Sequence, residues 1–121
     1  MNADNIATRY VAAWNESDPD RRRRSVASLW TEDGTYRDPL MQGEGHDGID
    51  ALIGGVQARF PDFRFTLAGN VDGFGNCLRF SWALGPAGSA AMIEGTDFAV
   101  LADDGRLCSV TGFIDRLPPG A

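Results

Sequence analysis

Three side chains in this 121-residue sequence have types suited to moving a proton beside a carbonyl. Asp38 lies in "GTYRDPLMQGEG", between the strand-like Thr35 and Tyr36 and a proline that opens a glycine-rich loop. Aspartate before proline favours turn initiation. The same rigid turn would also hold a carboxylate base at the rim of a pocket. Asp97 stands inside "AMIEGTDFAVL", on the strand face that carries Ile93, Ala99 and Leu101. Ionised carboxylates are rarely buried without a partner. Asp97 is therefore paired with a donor, protonated through a raised pKa, or turned to solvent; the first two make it a pocket residue. Tyr10 shares the apolar stripe of a first helix with Ile6 and Trp14. It is either a core tyrosine with a satisfied hydroxyl or a phenol that donates to a substrate carbonyl.

Other candidates are weaker. His46, in "GEGHDGID", is the single histidine, which excludes a histidine-rich metal site; it reads as a loop residue first and as a rim acid or base second. Trp14, Trp30, Phe63, Trp82 and Phe113 are core aromatics by default, and some of them are expected to line a cavity. An epoxide hydrolase-like reading wants Arg-x-Asp on one strand; "RFS" at Arg79–Ser81 supplies only the arginine, with Asp97 and Asp115 as possible substitutes. Asp115 beside Arg116 reads better as a surface ion pair.

The elements that must position these groups follow from periodicity. "DNIATRYVAAWNE" has helical spacing, with Asp4 as its expected cap. "SDPDRRRRSVASLWTED" reads as a second helix, capped by Ser17 or Asp18, with Val26, Leu29 and Trp30 inward and an end at Glu32–Gly34. "TYRD" is a short strand. A third helix runs over about 47–60, broken at Pro61. The period then changes to two, and four long antiparallel strands follow, the last two joined through "ADDGR". "PPGA" is expected to fray. Helices segregated from a meander give one α+β domain over 1–121, with a strongly curved sheet wrapped around three helices as a cone open at one end. Both faces of "AMIEGTDFAVL" are apolar. One face is expected to meet the helices and the other a second copy of the chain, in a homodimer through the outer sheet face.

Bulk composition narrows the function. The formal charge of −6 and pI near 4.5 argue against nucleic acid. "RRRR" at Arg21–Arg24 reads as the solvated first turns of a helix. No stretch is long and apolar enough to span a membrane, and the first ten residues lack the pattern of a signal peptide, so a cytoplasmic protein is expected. Cys77 and Cys108 have no metal-ligand spacing and read as small buried hydrophobes. The loop Gly43–Gly48 lacks the Lys-Ser/Thr ending of a phosphate-binding loop.

The segments "TRYVAAWNESD", "SLWTEDGTYRDP", "GEGHDGIDALI", "FPDFRFTL" and "EGTDFAVLADDGRLCSVTGFID" together resemble SnoaL-like members of the nuclear transport factor 2-like superfamily. The resemblance runs nearly end to end and implies a conical α+β barrel with a deep apolar pocket. Ketosteroid isomerase, in that superfamily, supplies a sharper comparison. It implies Tyr10 as one oxyanion donor, Asp38 as the general base and a protonated Asp97 as the second donor. Its supporting tyrosines are not matched: Trp30 and Ile53 stand near those places. The resemblance implies a cofactor-free isomerase or polyketide cyclase acting on a small apolar carbonyl compound, with no metal. Two alternatives stay open: a non-catalytic module whose carboxylates are neutralised by Arg9, Arg37 or Arg79, and an epoxide hydrolase or dehydratase that activates water.

Overall fold

The computed structural model describes residues 2–118, so all of the expected frayed tail 118–121 except Pro118 lies outside the described residues. Helix α1 (Ala3–Asn15) is capped by Asn2, whose side chain accepts the Asn5 N–H at 3.0 Å. Asp4 sits in the first turn instead, where its charge suits the helix dipole. Helix α2 (Pro19–Leu29) is capped by Asp18, which accepts from the N–H groups of Asp20 and Arg21, with Pro19 opening the helix.

This second helix ends earlier than its pattern suggests. Trp30 already belongs to strand β1 (Trp30–Arg37), which runs parallel to the last strand of the chain, and Trp30 faces Leu107 there. Pairing with a distant strand overrides local helix propensity. The glycine-rich loop also contributes a short strand, β2 (Gln42–Glu44), antiparallel to β1. Helix α3 (Gly45–Arg59) follows and stops before Pro61.

Strands β3 (Phe63–Phe74), β4 (Cys77–Pro86), β5 (Ile93–Leu101) and β6 (Leu107–Arg116) form the expected antiparallel meander. The sheet order is β2-β1-β6-β5-β4-β3. The architecture is α+β, but the curved sheet does not close: β2 and β3 are its two edges, so the helices fill an open cradle and not a sealed barrel. Alternation along β4 and β5 turns Leu78, Phe80, Trp82, Leu84, Ile93 and Ala99 onto the helices.

The arginine run is only partly a solvated face. Arg22 turns inward and bonds Asp50 at 2.8 Å and Gln57 at 3.1 Å, fastening α2 to α3. The two charged side chains are 12% and 15% exposed, so removing either would strand a half-buried charge. Cys77 and Cys108 are free and half-buried. Among the described residues no helix is long and apolar enough to cross a membrane.

Candidate functional site

Asp97 reaches the interior because of its place in the β5 alternation, between Gly95 and Ala99 on the buried face. It is 1% exposed. Its neighbours in register are Phe80 on β4 and Gly112 on β6. Gly112 makes room for the carboxyl: a Cβ there would stand 2.8 Å from Asp97 Oδ1, 3.3 Å from Asp38 Cβ and 3.4 Å from the Tyr36 hydroxyl. The two carboxyl side chains and the Tyr36 phenol thus flank one point on β6. Gly95 performs a similar service, since a Cβ at that position would run into the Trp82 indole. The indole lies across β5, and its N–H donates to Asp97 Oδ1 at 3.1 Å. From α1, the Tyr10 hydroxyl donates to Asp97 Oδ2 at 2.8 Å.

These contacts set opposing influences on Asp97. Burial pushes its pKa up; the Trp82 and Tyr10 donors pull it down, and the charge of Asp38 raises it again, leaving it at about 6. At pH 7 the carboxyl is mostly ionised, and below 6 it mostly carries a proton. Tyr10 is pushed well above an ordinary phenol by burial and then by Asp97. Tyr36 moves the same way, through burial, the Asp97 charge and its bond to Asp38. Both phenols therefore remain neutral donors.

Asp38 forms a second phenol–carboxyl couple. The Tyr36 hydroxyl donates to its Oδ2 at 2.6 Å, and the N–H groups of Leu40 and Met41 donate to its Oδ1 at 2.8 and 2.9 Å. The Asp38 N–H in turn donates to the Met41 carbonyl at 2.9 Å. The Asp-Pro turn is thus present, and it orients a carboxyl that also lines the interior.

A cavity of about 330 Å³ opens between α1, α3 and the inner sheet face. Tyr10, Asp38 and Asp97 all line it, as do Trp14 and Trp82. The remaining walls are largely apolar, with Arg59 as the one cation among the lining residues. Trp30, Phe63, Phe113 and His46 lie outside it. Trp30 is sealed in the core as the first residue of β1, and Phe63 packs against Phe60 at 5.2 Å. Phe113 falls on the outer sheet face, because Gly112 and Ile114 take the inward positions, and it is 57% exposed. His46 Nε2 bonds the Trp30 carbonyl at 2.8 Å.

The arginines named in the alternative readings stand elsewhere. Arg9 bonds Ser28, Arg79 pairs with Asp72 at 3.6 Å on exposed strand positions, and Arg37 is exposed. Asp115 accepts from the Thr96 hydroxyl at 2.6 Å, while Arg116 pairs with Glu94 at 3.9 Å. Among the described residues no ion pair reaches Asp38 or Asp97. No group of three or more His, Cys, Asp or Glu side chains among them is placed to hold a metal.

Tyr36 and Gly112 are the site residues that the sequence reading passes over. Tyr36 stands two positions before Asp38, which lies just past the end of β1, and extending the strand's period of two by one residue could have flagged it. Gly112 gives only the weak signal of a glycine inside a strand.

A model of the SnoaL-like domain matches residues 7–110. A solved structure from Agrobacterium tumefaciens str. C58, a SnoaL-like family protein provisionally named an isomerase, is 48% identical. The match covers 93% of this chain and 97% of that one, with a TM-score of 0.90. A Jannaschia sp. CCS1 protein provisionally named a SnoaL-like polyketide cyclase is 16% identical over 93% of this chain and 87% of that one, with a TM-score of 0.70. A SnoaL-like protein of unknown function from Burkholderia thailandensis E264 is 12% identical over 93% of both chains, with a TM-score of 0.73. At those last two identities the likeness is one of fold. No curated protein matches significantly.

Proposed function

We propose that this chain, which belongs to the SnoaL-like family of the nuclear transport factor 2-like superfamily, is a cofactor-free isomerase or cyclase. Its substrate is a small, largely apolar carbonyl compound. The observation that carries this reading is the Tyr10–Asp97 couple, buried in the same apolar cavity whose wall also bears Asp38.

Asp38, held at a fixed angle by three donors, takes a proton from the carbon beside the carbonyl. The electrons of that C–H bond form a carbon–carbon double bond, and the carbonyl pair moves onto oxygen. Asp97 and Tyr10 meet the growing charge. The protonation state of Asp97 decides what they can offer. When Asp97 is ionised, the Tyr10 proton is committed to it. When Asp97 carries a proton, it can donate to the Tyr10 oxygen, which frees the Tyr10 hydroxyl for the ligand. Donors in a dry cavity are worth more than in water. Return of the proton from Asp38 at another carbon gives an isomer; attack of the enolate carbon on a second carbonyl closes a ring as that carbonyl's π pair moves onto its oxygen, and the resulting alkoxide takes the proton back from Asp38.

Exchange of the methyl protons of acetophenone in deuterated water tests this reading, because it needs only the first step. Wild type is expected to accelerate exchange. Asp38→Asn should lower the rate by about 10²–10⁴ and Tyr10→Phe by about 10²–10³. The rate should fall as pH rises through about 6, where Asp97 gives up its proton. Exchange that is no faster than in buffer, or that is indifferent to Asp38, would overturn the proposal.

A further inference from the structure

We propose that the Trp14 indole N–H is a hydrogen-bond donor to the carbonyl oxygen of the ligand, acting beside Tyr10. The inference rests on the proton-transfer reading above and adds a residue to its oxyanion site. It comes from an accounting of the cavity's donors. The Tyr10 hydroxyl and the Trp82 N–H are taken by Asp97, and the Tyr36 hydroxyl by Asp38. Trp14 lines the same cavity and is 4% exposed, yet its Nε1 has no partner among the described residues. Buried polar groups without a partner are rare, and each asks for a reason. Trp30 Nε1 is unpaired too, but Trp30 does not line the cavity, so no ligand bound there would relieve it.

The position of Trp14 supplies that reason. It follows Tyr10 by one helical turn, so both rings leave the same face of α1, with centroids 6.1 Å apart. The indole N–H acts on the Tyr10 oxygen as a donor, pulling that phenol's pKa down against burial, but the contact lacks full hydrogen-bond geometry. An acceptor that reaches the Tyr10 hydroxyl therefore arrives beside the unpaired N–H. As the carbonyl becomes an enolate, its oxygen gains charge, and this fixed dipole needs no reorganisation to meet it. The rest of the indole, which stacks near Tyr36 at 5.4 Å and Phe65 at 5.6 Å, is held in place by those rings.

Acetophenone and ethylbenzene separate this role from packing, since they differ in shape very little and only the first has a carbonyl. In ¹⁵N-labelled wild type, acetophenone is expected to shift the Trp14 indole N–H resonance, ethylbenzene to leave it near its free position, and Trp30 to respond to neither. Trp14→Phe keeps a ring and loses the donor. It should weaken acetophenone binding about five- to tenfold more than it weakens ethylbenzene binding. Equal movement of the Trp14 resonance with both ligands overturns the inference, as does a Trp14→Phe protein that binds acetophenone like wild type or loses both ligands equally. Should the variant fail to fold, the wild-type resonances decide. If acetophenone binds but Trp14 is indifferent, the proton-transfer reading stands and only this addition falls; if acetophenone does not bind wild type, both fall.

Discussion

Tyr10 and Asp97 are 87 positions apart in sequence and 2.8 Å apart in the interior. This hydrogen bond joins the first helix to the middle of the sheet through a carboxyl that burial has made reluctant to ionise. That reluctance has a consequence for stability. The folded pKa of about 6 lies above the ordinary 3.8. Below about pH 4 the acid is protonated in both the folded and unfolded chains, and its contribution is fully present. As pH rises towards 6 the unfolded chain releases the proton first, so stability falls, and above 6 the loss is complete. Tyr10, Tyr36 and Asp38 face the group, and both phenols hold their protons throughout this range. Urea unfolding from pH 4 to 7 should show wild type losing, relative to Asp97→Asn, on the order of 3 kcal/mol. Parallel stability curves for the two proteins would remove the basis for a perturbed Asp97.

The absence of a side chain at Gly112 is what lets Asp97 lie against β6. In Gly112→Ala the new methyl would crowd Asp97 Oδ1, the Tyr36 hydroxyl and the Asp38 side chain together. The Asp97 carboxyl must move off its position and the Asp38 side chain must yield slightly, and small misplacements of reacting groups cost about 10²-fold in rate. A loss of acetophenone exchange of that size, in a protein that still unfolds cooperatively, is the expected outcome. An alanine variant with wild-type exchange would show that the present spacing of the two acids is not needed.

Gly55 offers the opposite case. It lines the cavity from α3, and a Cβ there meets nothing within 4 Å. Gly55→Leu should fill that space without strain and gain about 0.8 kcal/mol or more of helix propensity. Thermal unfolding is expected at or above the wild-type temperature, while acetophenone and ethylbenzene both lose affinity. Full retention of binding would place the ligand somewhere other than this cavity.

On the outer face of the sheet, Phe98 and Phe113 are 42% and 57% exposed on neighbouring strands, with Phe98 opposite Thr111 and Phe113 opposite Thr96. We propose that a second copy of the chain covers them. Sedimentation should report a dimer for wild type and a monomer for the Phe98→Glu, Phe113→Glu double variant, with the ligand cavity unchanged in both. A wild-type monomer at high protein concentration would end this proposal.

The sequence by itself determined most of the elements, because amphipathic periods and capping residues act over a few neighbours. For the same reason it placed Tyr10 on the apolar stripe of its helix and Asp97 on one strand face with Ile93, Ala99 and Leu101, while leaving open whether that face was buried. It identified a family resemblance that the SnoaL-like domain match across residues 7–110 bears out. Tertiary structure alone decided the rest. Trp30 left the second helix because a strand more than seventy positions away offered it a parallel partner. Trp82, legible only as an apolar side chain, became the donor that holds Asp97, because Gly95 leaves its indole a path across β5. Tyr36 was paired with Asp38, Gly112 opened the space between the acids, and Phe113 turned outward through its strand register. Each of these outcomes depends on contacts between segments distant in the chain, and local pattern carries no information about which distant backbone will lie alongside.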